Sequence, residues 1–96
     1  MAKINIEIEE EKHGSAVFAV QVTEGGTSSD HKVTVKDEDY QRLAPEGVSR
    51  RELVEESFRF LLEREPKSSI LSSFELTVIG NYFPEYEDKI GERLMA

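Results

Sequence analysis

Apolar and polar residues alternate through the first third of the chain. Ile4, Ile6 and Ile8 are interleaved with Lys3, Asn5, Glu7 and Glu9. This period of two predicts a strand over about 3–11 with one apolar face. It runs into the polar turn Glu10-Glu11-Lys12-His13-Gly14-Ser15. Phe18, Val20 and Val22 share one face of a second strand over about 15–24, with Val17 and Ala19 on the other. Gly25-Gly26-Thr27-Ser28-Ser29-Asp30 reads as a loose loop. Lys32-Val33-Thr34-Val35-Lys36 then gives a third strand over about 31–36. The short polar connections predict an antiparallel meander. Its inner face would carry the three isoleucines, Phe18, Val20, Val22, Val33 and Val35, and a sheet with one apolar face needs a cover.

Helical spacing follows. Asp37 is placed to cap a short helix over about 38–44. Glu38 and Asp39 suit the positive end of its dipole, and Pro45 stops it. The segment over about 49–65 carries the strongest signal. Ser49 and Glu52 form a capping box, with Val48 and Leu53 as its hydrophobic staple. Leu53, Val54, Phe58, Phe60, Leu61 and Leu62 span about 200° of the helical wheel at 100° per residue. That is twice the ~100° stripe of a surface helix, so this helix is expected to be covered on more than one side. Glu55 and Arg59 form an i,i+4 pair on the remaining face.

Ser72 and Glu75 repeat the box, and Phe74, Val78 and Tyr82 recur at helical spacing, which predicts a helix over about 73–82. Thr77-Val78-Ile79 has strand propensity as well. Pro84 suits the start of a last helix over about 85–94 with Tyr86, Ile90 and Leu94 on one stripe. Gly91 weakens it by about 1 kcal/mol relative to Ala. The expected fold class is therefore α+β: a three-stranded antiparallel meander followed by three or four helices on one face, in one domain over 1–96.

Composition narrows the function classes. The 96 residues hold 12 Lys and Arg against 20 Asp and Glu, a net charge of −8. An acidic balance favours solubility and repels phosphate at long range. Any nucleic-acid contact must come from a local basic patch. The chain has no Cys, which removes thiolate nucleophiles, Cys-based zinc sites and disulfides. No apolar run nears the roughly 20 residues that cross a bilayer, and the opening residues lack an apolar signal core. A cytoplasmic protein without membrane contact is expected.

Chemistry-bearing residues are sparse. His13 and His31 lie beside Gly14 and Asp30 without metal-binding spacing, and read as solvated turn residues. Glu9-Glu10-Glu11 reads as solvation or as an edge guard, and Asp37-Glu38-Asp39 as a helix start. No serine sits in a nucleophile elbow or a phosphate-binding loop. No enzyme activity, cofactor, metal or small-molecule substrate is expected.

One stretch carries a resemblance. Lys32-Val33-Thr34-Val35-Lys36, a short helix, Gly47-Val48-Ser49, and a second helix opening Ser49-Arg50-Arg51-Glu52-Leu53-Val54 follow one another over residues 32–64. This third of the chain resembles the ribbon-helix-helix family of bacterial repressors and antitoxins. The resemblance implies that the strand pairs with its symmetry mate along a free edge and enters the DNA major groove. Lys32, Thr34 and Lys36 would then face base edges. Ser49, Arg50 and Arg51 would hold a backbone phosphate.

Two expectations result. The first is a small acidic non-enzymatic interaction or regulatory protein, antitoxin-like and homodimeric, acting on a protein partner of unknown identity. It would bind through an edge strand or the aromatic residues Tyr82, Phe83 and Tyr86. The alternative is a DNA-binding regulator that uses the strand at 32–36.

Overall fold

Backbone pairing extends the alternating region beyond its side-chain pattern. A computed structural model describes residues 2–95. β1 (Lys3–Lys12), β2 (Ser15–Glu24) and β3 (Thr27–Lys36) form the expected antiparallel meander. The supposed loop at 25–30 is instead a tight hairpin. Gly25 and Gly26 have φ of +62° and +82°, and two consecutive positive-φ residues match the twist of a two-residue hairpin turn. Thr27 to Asp30 consequently pair with Glu24 to Gln21, although their side chains carry no strand signal.

The inner face holds Ile6, Ala16, Phe18, Val20, Val22, Val33 and Val35, all buried. Two expectations about this face need correction. Ile8 lies opposite Phe18 but is 56% exposed. β1 is an edge strand, and the helical layer does not reach that far along it. A β-bulge follows between Ile8 and Glu10. His31 is not a solvated turn residue: it sits within β3 opposite Val20 and is only 4% exposed. Its ring lies 5.5 Å from that of Phe58. In the neutral ring Nδ1–H donates to the Leu71 carbonyl at 2.7 Å, and the Ser29 hydroxyl donates to Nε2 at 2.8 Å. Both ring nitrogens are therefore partnered, as burial of a polar ring requires.

α1 (Asp37–Leu43) follows β3 directly, and its cap position is Lys36 without a side-chain cap bond. Asp37 does not cap the helix. Its carboxylate accepts from Arg50 Nη2 at 3.0 Å. α2 (Arg50–Leu62) opens with the expected capping box: Glu52 N–H donates to Ser49 Oγ at 3.1 Å, and Ser49 N–H donates to Glu52 Oε1 at 3.3 Å. The Glu55–Arg59 pair forms at 3.1 Å.

The segment expected to be one helix over 73–82 is divided. β4 (Ser73–Glu75) pairs in parallel with Lys32–Thr34 of β3, a 3-10 turn spans Leu76–Val78, and α3 (Ile79–Tyr82) is a single turn. The helical box at Ser72 lost to an available partner. β3 had an open edge, and Lys32 N–H donates across it to the Ser72 carbonyl at 2.8 Å. Parallel pairing needs a long crossover, which α1 and α2 supply. The sheet order is β1-β2-β3-β4.

α4 (Tyr86–Met95) packs on α2. α2 is consequently covered on two sides, as its wide apolar arc predicts. Phe58 turns to the sheet, near His31 and Phe74. Phe60 turns to the C-terminal elements, with its ring 5.4 Å from Tyr86 and 5.9 Å from Phe83. Tyr86 is fully buried, and its hydroxyl lies 2.7 Å from Ser57 Oγ. Ser57 donates to the Leu53 carbonyl at 2.7 Å. That carbonyl can only accept, so Tyr86 O–H donates to Ser57. Burial pushes the Tyr86 phenol well above its usual value, which keeps it a donor at all ordinary pH. At the rim Arg93 bridges Glu63 at 2.9 Å and Glu56 at 3.3 Å. Its hydrogen bond holds the Glu63 carboxyl below the ordinary carboxylate range.

Ser57→Ala leaves the Tyr86 hydroxyl buried without an acceptor and should cost about 1–3 kcal/mol, whereas Tyr86→Phe leaves Ser57 bonded to Leu53 and should cost about 0.5–1.5 kcal/mol. Urea midpoints of the two single variants and the double variant check this. The double variant should be more stable than Ser57→Ala alone. Ser49→Ala should cost about 1 kcal/mol through loss of the cap, read from the same denaturation curves.

Candidate functional site

Pro66 carries the chain away from α2 into a 3-10 turn at Lys67–Ser69. Ile70 is buried there, but Leu71 points outward and is 45% exposed. After β4 the chain curls back through α3, and Tyr82 at its end is 66% exposed. Between these arms lies an open, mainly apolar groove of about 120 Å³, lined by Leu61, Leu71, Phe74, Val78, Tyr82 and Phe83 among others. Small-molecule pockets usually enclose about 300–1,000 Å³. This groove is sized for a side chain or two. β4 is the last strand of the sheet, so its outer edge offers unpaired backbone groups beside the groove. Glu65 lines the groove and has no ion-pair partner among the described residues.

The three aromatics expected to form a binding surface separate. Tyr82 is exposed and Phe83 is half-buried, packed edge-on against Phe60. Both line the groove. Tyr86 belongs to the core and is unreachable. The one-residue step from Tyr82 to Phe83 turns adjacent rings to different surroundings, and Tyr86 starts the next helix facing inward. Leu71, Phe74 and Val78 were missed as surface residues. Phe74 and Val78 carry the helical spacing that predicts a helix over 73–82, and no local pattern marks a groove.

The residues expected to contact DNA also divide. Lys32, Thr34 and Lys36 lie in one row on the outer face of β3. Lys32 pairs with Glu9 at 3.0 Å, and Lys36 pairs with Glu75 at 3.3 Å. Ser49, Arg50 and Arg51 stand at the start of α2, on the covered side of the sheet. Ser49 is engaged in its capping box. Arg50 is held by Asp37 at 3.0 Å and lies 4.4 Å above the Tyr40 ring. Arg51 is exposed without an ion pair among the described residues. β3 has β2 on one side and β4 on the other. Pairing β3 with a symmetry mate over 32–34 would require β4 to leave.

A wider polar depression of about 890 Å³ runs beside β1 to β3, lined by Glu7, Glu9, Gln21, Asp30, Lys32 and Arg51 among others. Four of these polar groups pair, Lys32 with Glu9 and Gln21 Nε2 donating to Asp30 at 3.4 Å, while Glu7 and Arg51 have no side-chain partner among the described residues. His13 is exposed at the β1–β2 turn, far along the hairpin from His31. Among the described residues no three His, Asp or Glu side chains converge as metal ligands would.

Comparison with known proteins finds no matching family model, no matching curated protein and no matching solved structure.

Proposed function

We propose that this chain is a non-enzymatic regulatory binding module that captures an extended segment of another protein along β4. Its backbone would add a strand to the free edge of β4, and alternate side chains would enter the groove, as in β-augmentation. The observation that carries this reading is the juxtaposition of that edge with an apolar groove flanked by exposed Leu71 and Tyr82. Exposed large apolar side chains gathered beside a groove mark interaction surfaces.

Charge specifies the occupant. The chain carries −8, and Glu65 in the groove has no ion-pair partner among the described residues. The preferred segment therefore bears apolar residues at alternate positions and a Lys or Arg that reaches Glu65. Complementary charge of this kind speeds encounter and sets register.

Protein binding is favoured over DNA binding by the pairing of the candidate basic groups. Lys32, Lys36 and Arg50 each face a carboxylate. Such exposed pairs are worth only about 0–1 kcal/mol each, so phosphate could displace them. Even so, they leave no concentrated positive patch to draw DNA to an acidic protein.

Selection of a displayed random-peptide library on the immobilised protein tests the proposal. Enriched peptides should alternate large apolar residues and include a basic residue. Tyr82→Asp and Leu71→Asp alter exposed side chains, so circular dichroism should be unchanged while peptide affinity falls at least about tenfold. Binders that ignore both substitutions, or no enrichment at all, would remove the reading. A gel shift at low salt with the chain's own promoter region gives the DNA reading its separate test.

A further inference from the structure

We infer that β1 is a self-pairing edge, through which two copies of this chain join antiparallel about a two-fold axis at Ile6. This proposal is independent of the groove, which lies at the opposite edge of the sheet.

The edge is open and long. β1 pairs only with β2 and spans Lys3–Lys12. Its two halves differ. Beyond Ile8 a bulge interrupts the strand, and Glu9, Glu10 and Glu11 follow. Bulges and charge on an edge oppose pairing. The first half has no bulge and only one base and one acid, Lys3 and Glu7, beside three isoleucines, and Ile8 is 56% exposed on the inner face.

Register follows from complementarity. In an antiparallel pair, directly opposed side chains share a face. Centring the axis on Ile6 sets Ile6 against its own copy and Ile8 against Ile4 of the second copy. Ile4 is half-buried against the core. The exposed Ile8 thereby gains an apolar neighbour that already packs on the interior. On the outer face the same register sets Glu7 against Asn5 and brings Lys3 toward Glu9 at the start of the bulge. Lys3 has no ion-pair partner among the described residues. No like charges stand opposed. A two-residue shift that centres the axis on Glu7 opposes Glu7 to its own copy, which is destabilising. The opposite shift, centred on Asn5, leaves Ile8 facing only Ala2. A one-residue shift opposes the isoleucines of one copy to polar residues of the other, such as Ile6 to Glu7, and sets the two inner faces on opposite sides of the sheet.

Both helical layers then lie on one side of a continuous eight-stranded sheet, and both grooves lie at its far ends. Two-fold edge pairing is isologous and closes at the dimer.

Sedimentation equilibrium of the full chain over a concentration series should give twice the 10.9 kDa chain mass at the upper end. Ile8→Lys touches an exposed side chain, so it should leave circular dichroism unchanged and weaken dimerisation at least about tenfold. Because the chain has no Cys, two single substitutions read the register. Asn5→Cys mixed with Glu7→Cys should yield the mixed disulfide on oxidation, with little of either self-linked product. A monomer at every concentration, an Ile8→Lys dimer of unchanged strength, or a self-linked Asn5→Cys product in preference to the mixed one would overturn the proposal.

Discussion

Helix α2 must hide apolar side chains in two directions at once, and the molecule is organised around that requirement. One set of its residues faces the sheet and another faces α4. A helix so enclosed can tolerate a polar group only if that group is fully bonded. Ser57 meets this condition through Leu53 on its own helix and Tyr86 on the next. The bond is directional, unlike the surrounding apolar contacts. It therefore fixes how α4 sits on α2, where apolar packing alone would permit sliding. The placement of α4 in turn sets Phe83 against Phe60 and leaves Tyr82 outside.

The sheet is equally asymmetric. One face is core and the other is wet. One edge, β1, is long and runs into a bulge, while the other, β4, is three residues long and lies beside an apolar groove. β4 covers the edge of β3 over Lys32–Thr34, which leaves β4 and β1 as the outermost strands of the sheet.

Electrostatics reinforces that division. Among the described residues only Lys3, Arg51 and Lys67 lack a carboxylate within ion-pair distance. Most of the positive charge is thus spent inside the molecule, on exposed pairs that contribute little each. The uncompensated acids set the long-range field. The surface is negative overall, and its exposed large apolar side chains are confined to a few places among the described residues.

The local sequence determined the meander, the Ser49–Glu52 box and the double coverage of α2, because each rests on residues within one or two turns of each other. Tertiary structure decided the rest. Whether Ser73–Glu75 became strand or helix depended on an open edge some forty residues earlier in the chain. Ile8 has the same local pattern as Ile6, yet it is exposed because the helical cover ends before it. His31 is expected in a solvated turn and Tyr86 partly in a binding surface, but each is buried with a hydrogen-bond partner distant in sequence, the Leu71 carbonyl and Ser57. Side-chain periodicity reports which face a residue takes. It carries no information on how far the opposing layer extends, or on which distant backbone group remains unsatisfied.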